Sequence, residues 1–192
     1  MLKSKKNIVF LSFIFGLMMI LCFGCASTTS DSAKADLVAN DSILNNSVKT
    51  VGSLSVSTLT SPAGGKYAPN HVLAIWVETT KGTFIKSLFV YAQKRKGYLT
   101  NWLASSSENT TDAVTGATLT GHAIRTCTWD GTDTSGKVVG DGSYRVCMEL
   151  TDKDDTGNFS TFSFTKGTTA DKQLPANVTS FSSLAIQWTP KN

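Results

Sequence analysis

The run Val72-Leu73-Ala74-Ile75-Trp76-Val77 constrains the fold more than any other stretch. Six consecutive apolar residues, partly β-branched and aromatic, with turn signals on both sides, predict a strand covered on both faces. Before it, Leu54 and Val56 alternate with serines, which predicts a half-buried strand, and Ser61-Pro62-Ala63-Gly64-Gly65 ends it. After it, Thr79-Thr80-Lys81-Gly82 reads as a turn leading into a strand over residues 84–92, so the pair predicts a hairpin. Residues 123–129, 143–150, 159–164 and 181–188 read as further strands, with a turn at 154–158. Tyr98, Leu99, Trp102 and Leu103 predict one short amphipathic helix over 97–106. Some seven short strands with turns between them, and no helix–strand alternation, predict an all-β, immunoglobulin-like antiparallel sandwich. A long polar loop spans 105–122; loops of that length inside compact domains are usually functional or disordered.

The chain has 192 residues and a formal charge of +4. Lys3, Lys5 and Lys6 supply all the charge of the first 25 positions, leaving 15 basic against 14 acidic residues beyond them. The basic balance therefore belongs to a targeting segment and gives no reason to expect a nucleic-acid partner. Lys94-Arg95-Lys96 is too short for a nucleic-acid footprint and reads as a solvated strand end.

Residues 8–23 are apolar apart from Ser12 and Gly16, which is shorter than a membrane span requires. This run ends in Leu21-Cys22-Phe23-Gly24-Cys25-Ala26-Ser27, which resembles a bacterial lipoprotein signal. Cys22 stands where Leu is usual. The resemblance implies a signal over 1–24, a lipidated Cys25, and a chain held extracytoplasmically on a bacterial membrane, in the periplasm or at the cell surface. Residues 25–49 carry few large apolar groups and read as anchor plus flexible tether, leaving 50–192 as the sandwich domain.

The loop carries the sharpest chemical signal. Asp112-Ala113-Val114-Thr115-Gly116-Ala117-Thr118 fits D-x-x-[ST]-G-A-[ST] and resembles the recognition sequence of bacterial flavin transferases. Those Mg-dependent enzymes move the FMN half of FAD onto the hydroxyl of the last Ser/Thr, here Thr118. In physical terms, Gly116 and Ala117 leave the backbone beside the acceptor open to a bulky phosphate. Thr115 can support a turn, and Asp112 can orient the loop or accept its amides. A hydroxyl is a poor nucleophile unaided, so its activation falls to the transferase.

The surroundings extend the resemblance. The stretch from Tyr67 to Glu78, then Gly82 to Leu88, Trp102, the 112–118 motif, Trp129-Asp130-Gly131-Thr132-Asp133, and Gly136, Val139, Gly142 and Tyr144 follow in order. They resemble the periplasmic domain-of-unknown-function family twenty-two seventy-one over about residues 50–165. That family implies a role in extracytoplasmic flavin-linked redox systems. The implied partners are a flavin transferase and a membrane electron donor or acceptor. The implied cofactor is covalent FMN.

The remaining residues have plainer readings. Asp130 and Asp133 can cap their loop, and Trp129 and Tyr144 can pack in the core. If the strands flanking that loop pair in register, Cys127 and Cys147 stand opposite one another. A disulfide there would add ~3 kcal/mol; two buried free thiols are the alternative. His122 and Arg125 can neutralise a flavin phosphate, and Trp76, Trp102 and Tyr98 can stack on an isoalloxazine ring. No zinc-ligand spacing, Ser-His-Asp set or carboxylate pair can be argued from spacing. The chain thus reads as an electron carrier and transferase substrate rather than an enzyme. The competing reading is a cofactor-free immunoglobulin-like lipoprotein for binding or assembly.

Overall fold

The computed structural model describes residues 47–191; the signal, Cys25 and most of the tether lie outside them. Among the described residues, nine strands form two sheets packed face to face, an all-β sandwich with one short helix. The four-stranded sheet has the order β5-β1-β9-β8: β1 is Gly52–Thr60, β5 Ile124–Trp129, β8 Asp171–Gln173 and β9 Phe181–Pro190. The five-stranded sheet has the order β4-β3-β2-β6-β7: β2 is Val72–Thr79, β3 Phe84–Tyr91, β4 Val114–Gly116, β6 Gly142–Thr151 and β7 Asn158–Lys166. All pairings are antiparallel except β3–β4, which is parallel.

The alternation in β1 places Leu54, Val56, Thr58 and Thr60 inward, with Ser53 and Ser55 exposed. β2 is covered on both faces, as its sequence demands. Leu73, Ile75 and Val77 face the core between the sheets, where Trp129, Tyr144, Phe164 and Trp188 pack ring against ring. Val72, Ala74 and Trp76 face outward into a second apolar layer with Val90, Ala92, Leu99 and Trp102.

That outer layer is roofed by helix α1, Thr100–Ser106. A 3-10 turn at Lys96–Tyr98 precedes it, so the helix expected from residue 97 begins three residues later. Residue 99, at its N-cap, is a leucine and supplies no capping side chain. Its first amides are met instead from the sheet. The buried Glu149 of β6 accepts from the Asn101 and Trp102 N–H groups at 3.2 and 2.9 Å. A carboxylate there satisfies orphan donors and suits the positive end of the helix. A second buried carboxylate, Glu78, ties β2 to the roof and to β6. It accepts from Trp76 Nε1 at 2.7 Å, from Ser105 Oγ, and from the Arg145 guanidinium through Nε at 2.9 Å.

Cys127 and Cys147 do not form the expected cross-strand disulfide. β5 and β6 do not form a hairpin; the chain between them crosses from one sheet to the other. Cys127 stands opposite Val56 and faces the inter-sheet core, whereas Cys147 stands opposite Trp76 in the outer layer. The two thiols lie on opposite faces of the five-stranded sheet, and both are free and buried.

The 105–122 segment is more ordered than a loop. It contains β4, which guards the open edge of β3, and Leu119, which exchanges two backbone hydrogen bonds of 2.9 Å with His71.

Candidate functional site

The Asp112–Thr118 segment begins at a buried lysine. Lys86 interrupts the apolar run of β3, and its ammonium lies 3.1 Å from Asp112 Oδ2 and 3.7 Å from Asp130 Oδ1. It also donates to Thr132 Oγ1 at 3.0 Å. Asp112 takes φ +61°, a left-handed conformation that Asp tolerates better than most residues. Asp112 therefore fixes the start of the segment against β3. It makes no hydrogen bond to the motif's amides.

The next three residues pair with β3: Val114 with Phe89, Thr115 with Val90, Gly116 with Tyr91. The Gly116 carbonyl accepts from the Ala92 and Gln93 amides at 3.0 and 3.2 Å. The open side of Gly116 is occupied by the Tyr91 ring, so the glycine's first duty is to admit that ring. Ala117 is exposed and Thr118 is half-buried. Leu119 is then locked to His71. Thr118 thus sits in a two-residue span between anchored neighbours, which limits the ways its hydroxyl can turn.

A histidine pair lies beside this span. The rings of His71 and His122 stack with centroids 4.2 Å apart and planes 9° from parallel. His71 Nδ1 lies 2.9 Å from the Pro69 carbonyl; a carbonyl only accepts, so this nitrogen carries the proton. Nε2 of both rings and Nε of Arg125 are buried without a partner. Burial lowers the pKa of His71 from its ordinary value, and the charges of His122 and Arg125 add to this against the Pro69 contact. His122 is lowered chiefly by burial, with Asp152 opposing. The Arg125 guanidinium donates to the Gly121 carbonyl at 2.5 Å.

On the outer face of the sheet, beside Thr115 and Gly116, a cavity of about 480 Å³ opens under the roof. Val90, Ala92 and Trp102 line it, and Lys96 and Glu108 form an ion pair at its rim. Trp102 is fixed by an Nε1–H bond to Ser87 Oγ at 2.9 Å, and Ser87 donates onward to the Asn109 carbonyl at 2.7 Å. Trp76 and Trp102 are both buried under the roof, Trp76 stacked near Phe159, so neither presents a ring face to solvent.

The three aspartates of the β5–β6 connection serve separate partners. Asp130 accepts from Thr132, Asp133 from Ser135 and Lys137, and Asp141 from Thr50 and the fully buried Lys166. Among the described residues, no three His, Cys, Asp or Glu side chains gather as a metal-binding group.

Lys86 and Tyr91 were not among the residues singled out in the sequence. A lone lysine within Phe-Ile-Lys-Ser-Leu-Phe-Val was a usable signal, because a charge in a covered strand requires a partner. Nothing comparable marks Tyr91, whose role depends on the parallel register of β4.

A family model described as Predicted periplasmic protein (DUF2271) matches residues 54–181. No curated protein and no solved structure matches the chain.

Proposed function

The chain belongs to this periplasmic family, and on that premise we propose that it is an extracytoplasmic electron carrier with FMN joined to Thr118. The observation that carries the reading is the setting of Thr118. It is half-buried, follows a sheet-edge strand bearing the motif, and lies between two anchored residues. A transferase thus meets a hydroxyl that is already positioned, so less conformational freedom is lost on docking.

In the transfer, Thr118 Oγ attacks the FMN-side phosphorus of FAD. An oxygen–phosphorus bond forms, the diphosphate bridge breaks, AMP leaves, and the hydroxyl proton passes to the transferase. The flavin supplies one- and two-electron chemistry once bound. The chain supplies attachment and surroundings: β4 presents the acceptor, and Lys86 holds Asp112 in place. A lipid on Cys25, with residues 26–49 as tether, would keep the carrier at a membrane while it moves between donor and acceptor.

The test is co-expression of the full chain with a flavin transferase. The expected result is a fluorescent band and an FMN-sized mass increase that vanish in Thr118→Ala. A wild type without the mass increase would leave the cofactor-free binding or assembly reading standing.

A further inference from the structure

Among the described residues, three buried side-chain nitrogens have no hydrogen-bond partner, and all three belong to one cluster: Nε2 of His71, Nε2 of His122 and Nε of Arg125. Orphaned polar atoms are uncommon in a folded core, and three together require a physical reason. The reason lies in the protonation of the rings. His71 Nδ1 donates to the Pro69 carbonyl, so its Nε2 carries a lone pair. The Thr60 hydroxyl donates to the Ala123 carbonyl at 3.3 Å and offers a lone pair to His122 Nδ1, also at 3.3 Å, so Nε2 of that ring is bare too. Two neutral rings stack comfortably at 4.2 Å. A proton on either Nε2 would create a buried N–H with no acceptor, in a stack beside the Arg125 guanidinium.

The stack is joined to the chain around Thr118 at two points. The main chain of His71 exchanges hydrogen bonds of 2.9 Å with Leu119, and His122 lies three residues further on, against Thr60. We propose that the His71–His122 stack is an acid-sensitive latch: closed while both rings are neutral, it pins residues 117–122, and protonation of either ring opens it. With the rings turned out to water, Leu119 is held only by an isolated bridge at a strand end, which frays and frees Thr118 beside it. The latch acts on the segment itself, whether or not Thr118 carries a flavin. Burial and the Arg125 charge oppose protonation of both rings. The Asp152 carboxylate favours it, but its oxygens are engaged by the Ala63 and Gly65 amides at 2.8 and 2.7 Å. Tyr67, Arg95, Tyr98 and Lys153 line the small cleft that reaches His71 and add two more cations.

The experiment is amide hydrogen exchange of the full chain between about pH 8 and pH 5, corrected for the intrinsic pH dependence of exchange. Protection at Leu119 is expected to fall between pH 6.5 and the lower values of the closed rings. The fall should be about tenfold per pH unit for each proton taken up, while the amides of β2 and β6 keep their protection. Arg125→Gln removes a like charge, brings the closed rings nearer their ordinary value and should shrink the fall; Arg125→Lys should preserve it. His71→Gln combined with His122→Gln should make exchange at Leu119 independent of pH. Protection that holds throughout, that falls only together with β2 and β6, or that still falls in the double variant would overturn the latch. Should the double variant not fold, the ring protons of the native chain are titrated by NMR. Ring titration in step with Leu119 exchange supports the latch, and ring titration with no change at Leu119 overturns it.

Discussion

Gly116 lies against the ring of Tyr91 so closely that a Cβ at this position would meet ring carbons of that side chain. In β3 and β4 these two residues are paired partners, and Tyr91 is in turn stacked on Phe89 with centroids 4.6 Å apart. The ring therefore has little room to retreat. Gly116→Ala is expected to destabilise the chain by about 1–3 kcal/mol, measured by urea unfolding. The cost should shrink by about 1 kcal/mol in a Tyr91→Ala background. An equal cost in both backgrounds would place the strain elsewhere.

Lys86 has three oxygen partners, and its side chain is only 6% exposed whereas that of Asp112 is 70% exposed. Asp112→Ala alone is expected to cost under ~1 kcal/mol, because the exposed carboxylate is solvated and Asp130 remains. Removing both carboxylates strands a buried ammonium, so Asp112→Ala with Asp130→Ala should cost about 3 kcal/mol, more than the two singles together. Hydrogen exchange should show faster exchange at residues 113–116 in Asp112→Ala alone, since the segment loses its first anchor.

Acid should loosen the domain in two steps. His71 and His122 titrate below their ordinary 6.5 in the fold, so between 6.5 and those lower values the unfolded chain binds more protons. Stability is full above pH 6.5 and falls as the pH drops from there. Burial of Glu78 favours its neutral form, but hydrogen bonds from Ser105, Trp76 and Arg145 outweigh this and hold it below its ordinary 4.5. Its contribution is therefore present above 4.5 and is lost as the pH falls through the lower folded value. Unfolding curves from pH 8 to 3 should show both arms, and His71→Gln should flatten the first while sparing the second.

The thiols should be silent in the native state. Burial alone pushes the Cys127 pKa up to about 12, and burial with the Glu78 charge raises Cys147. With Cys22 and Cys25 changed to Ser, a thiol reagent is expected to find no reactive group in the folded chain and two after unfolding without reductant. No reaction after unfolding would mean that the pair is oxidised.

The long strands were legible because burial writes a period into them. Leu54 and Val56 alternate with serines, and Val72 to Val77 do not alternate because both faces are covered. β4 and β8 were not legible. Each has three residues, too few for any period, and Val-Thr-Gly and Asp-Lys-Gln form strands only because β3 and β9 offer an edge. The cysteine pairing failed for a different reason. Neighbours in sequence often pair, but Trp129 and Tyr144 both need the inter-sheet core, and the chain crosses between sheets to put them there. In the motif, resemblance to a transferase recognition sequence singles out Gly116 and Thr118. The partners Lys86, Tyr91 and His71 lie 25 to 47 residues from one or other of these, and only the sheet register brings them together.

β1 gives the domain a polarity. Its first residue, Gly52, lies opposite Pro190, so the chain enters and leaves at one pole, where Asp141 and Lys166 pin Thr50. Its last residue, Thr60, meets Ala123 and His122 at the other pole, beside the His71–Leu119 bridge. Nine residues of strand separate the two, about 30 Å. A domain held by its leading end would carry the Thr118 segment at its far end, with the body of the sandwich serving as a rigid spacer between the two poles.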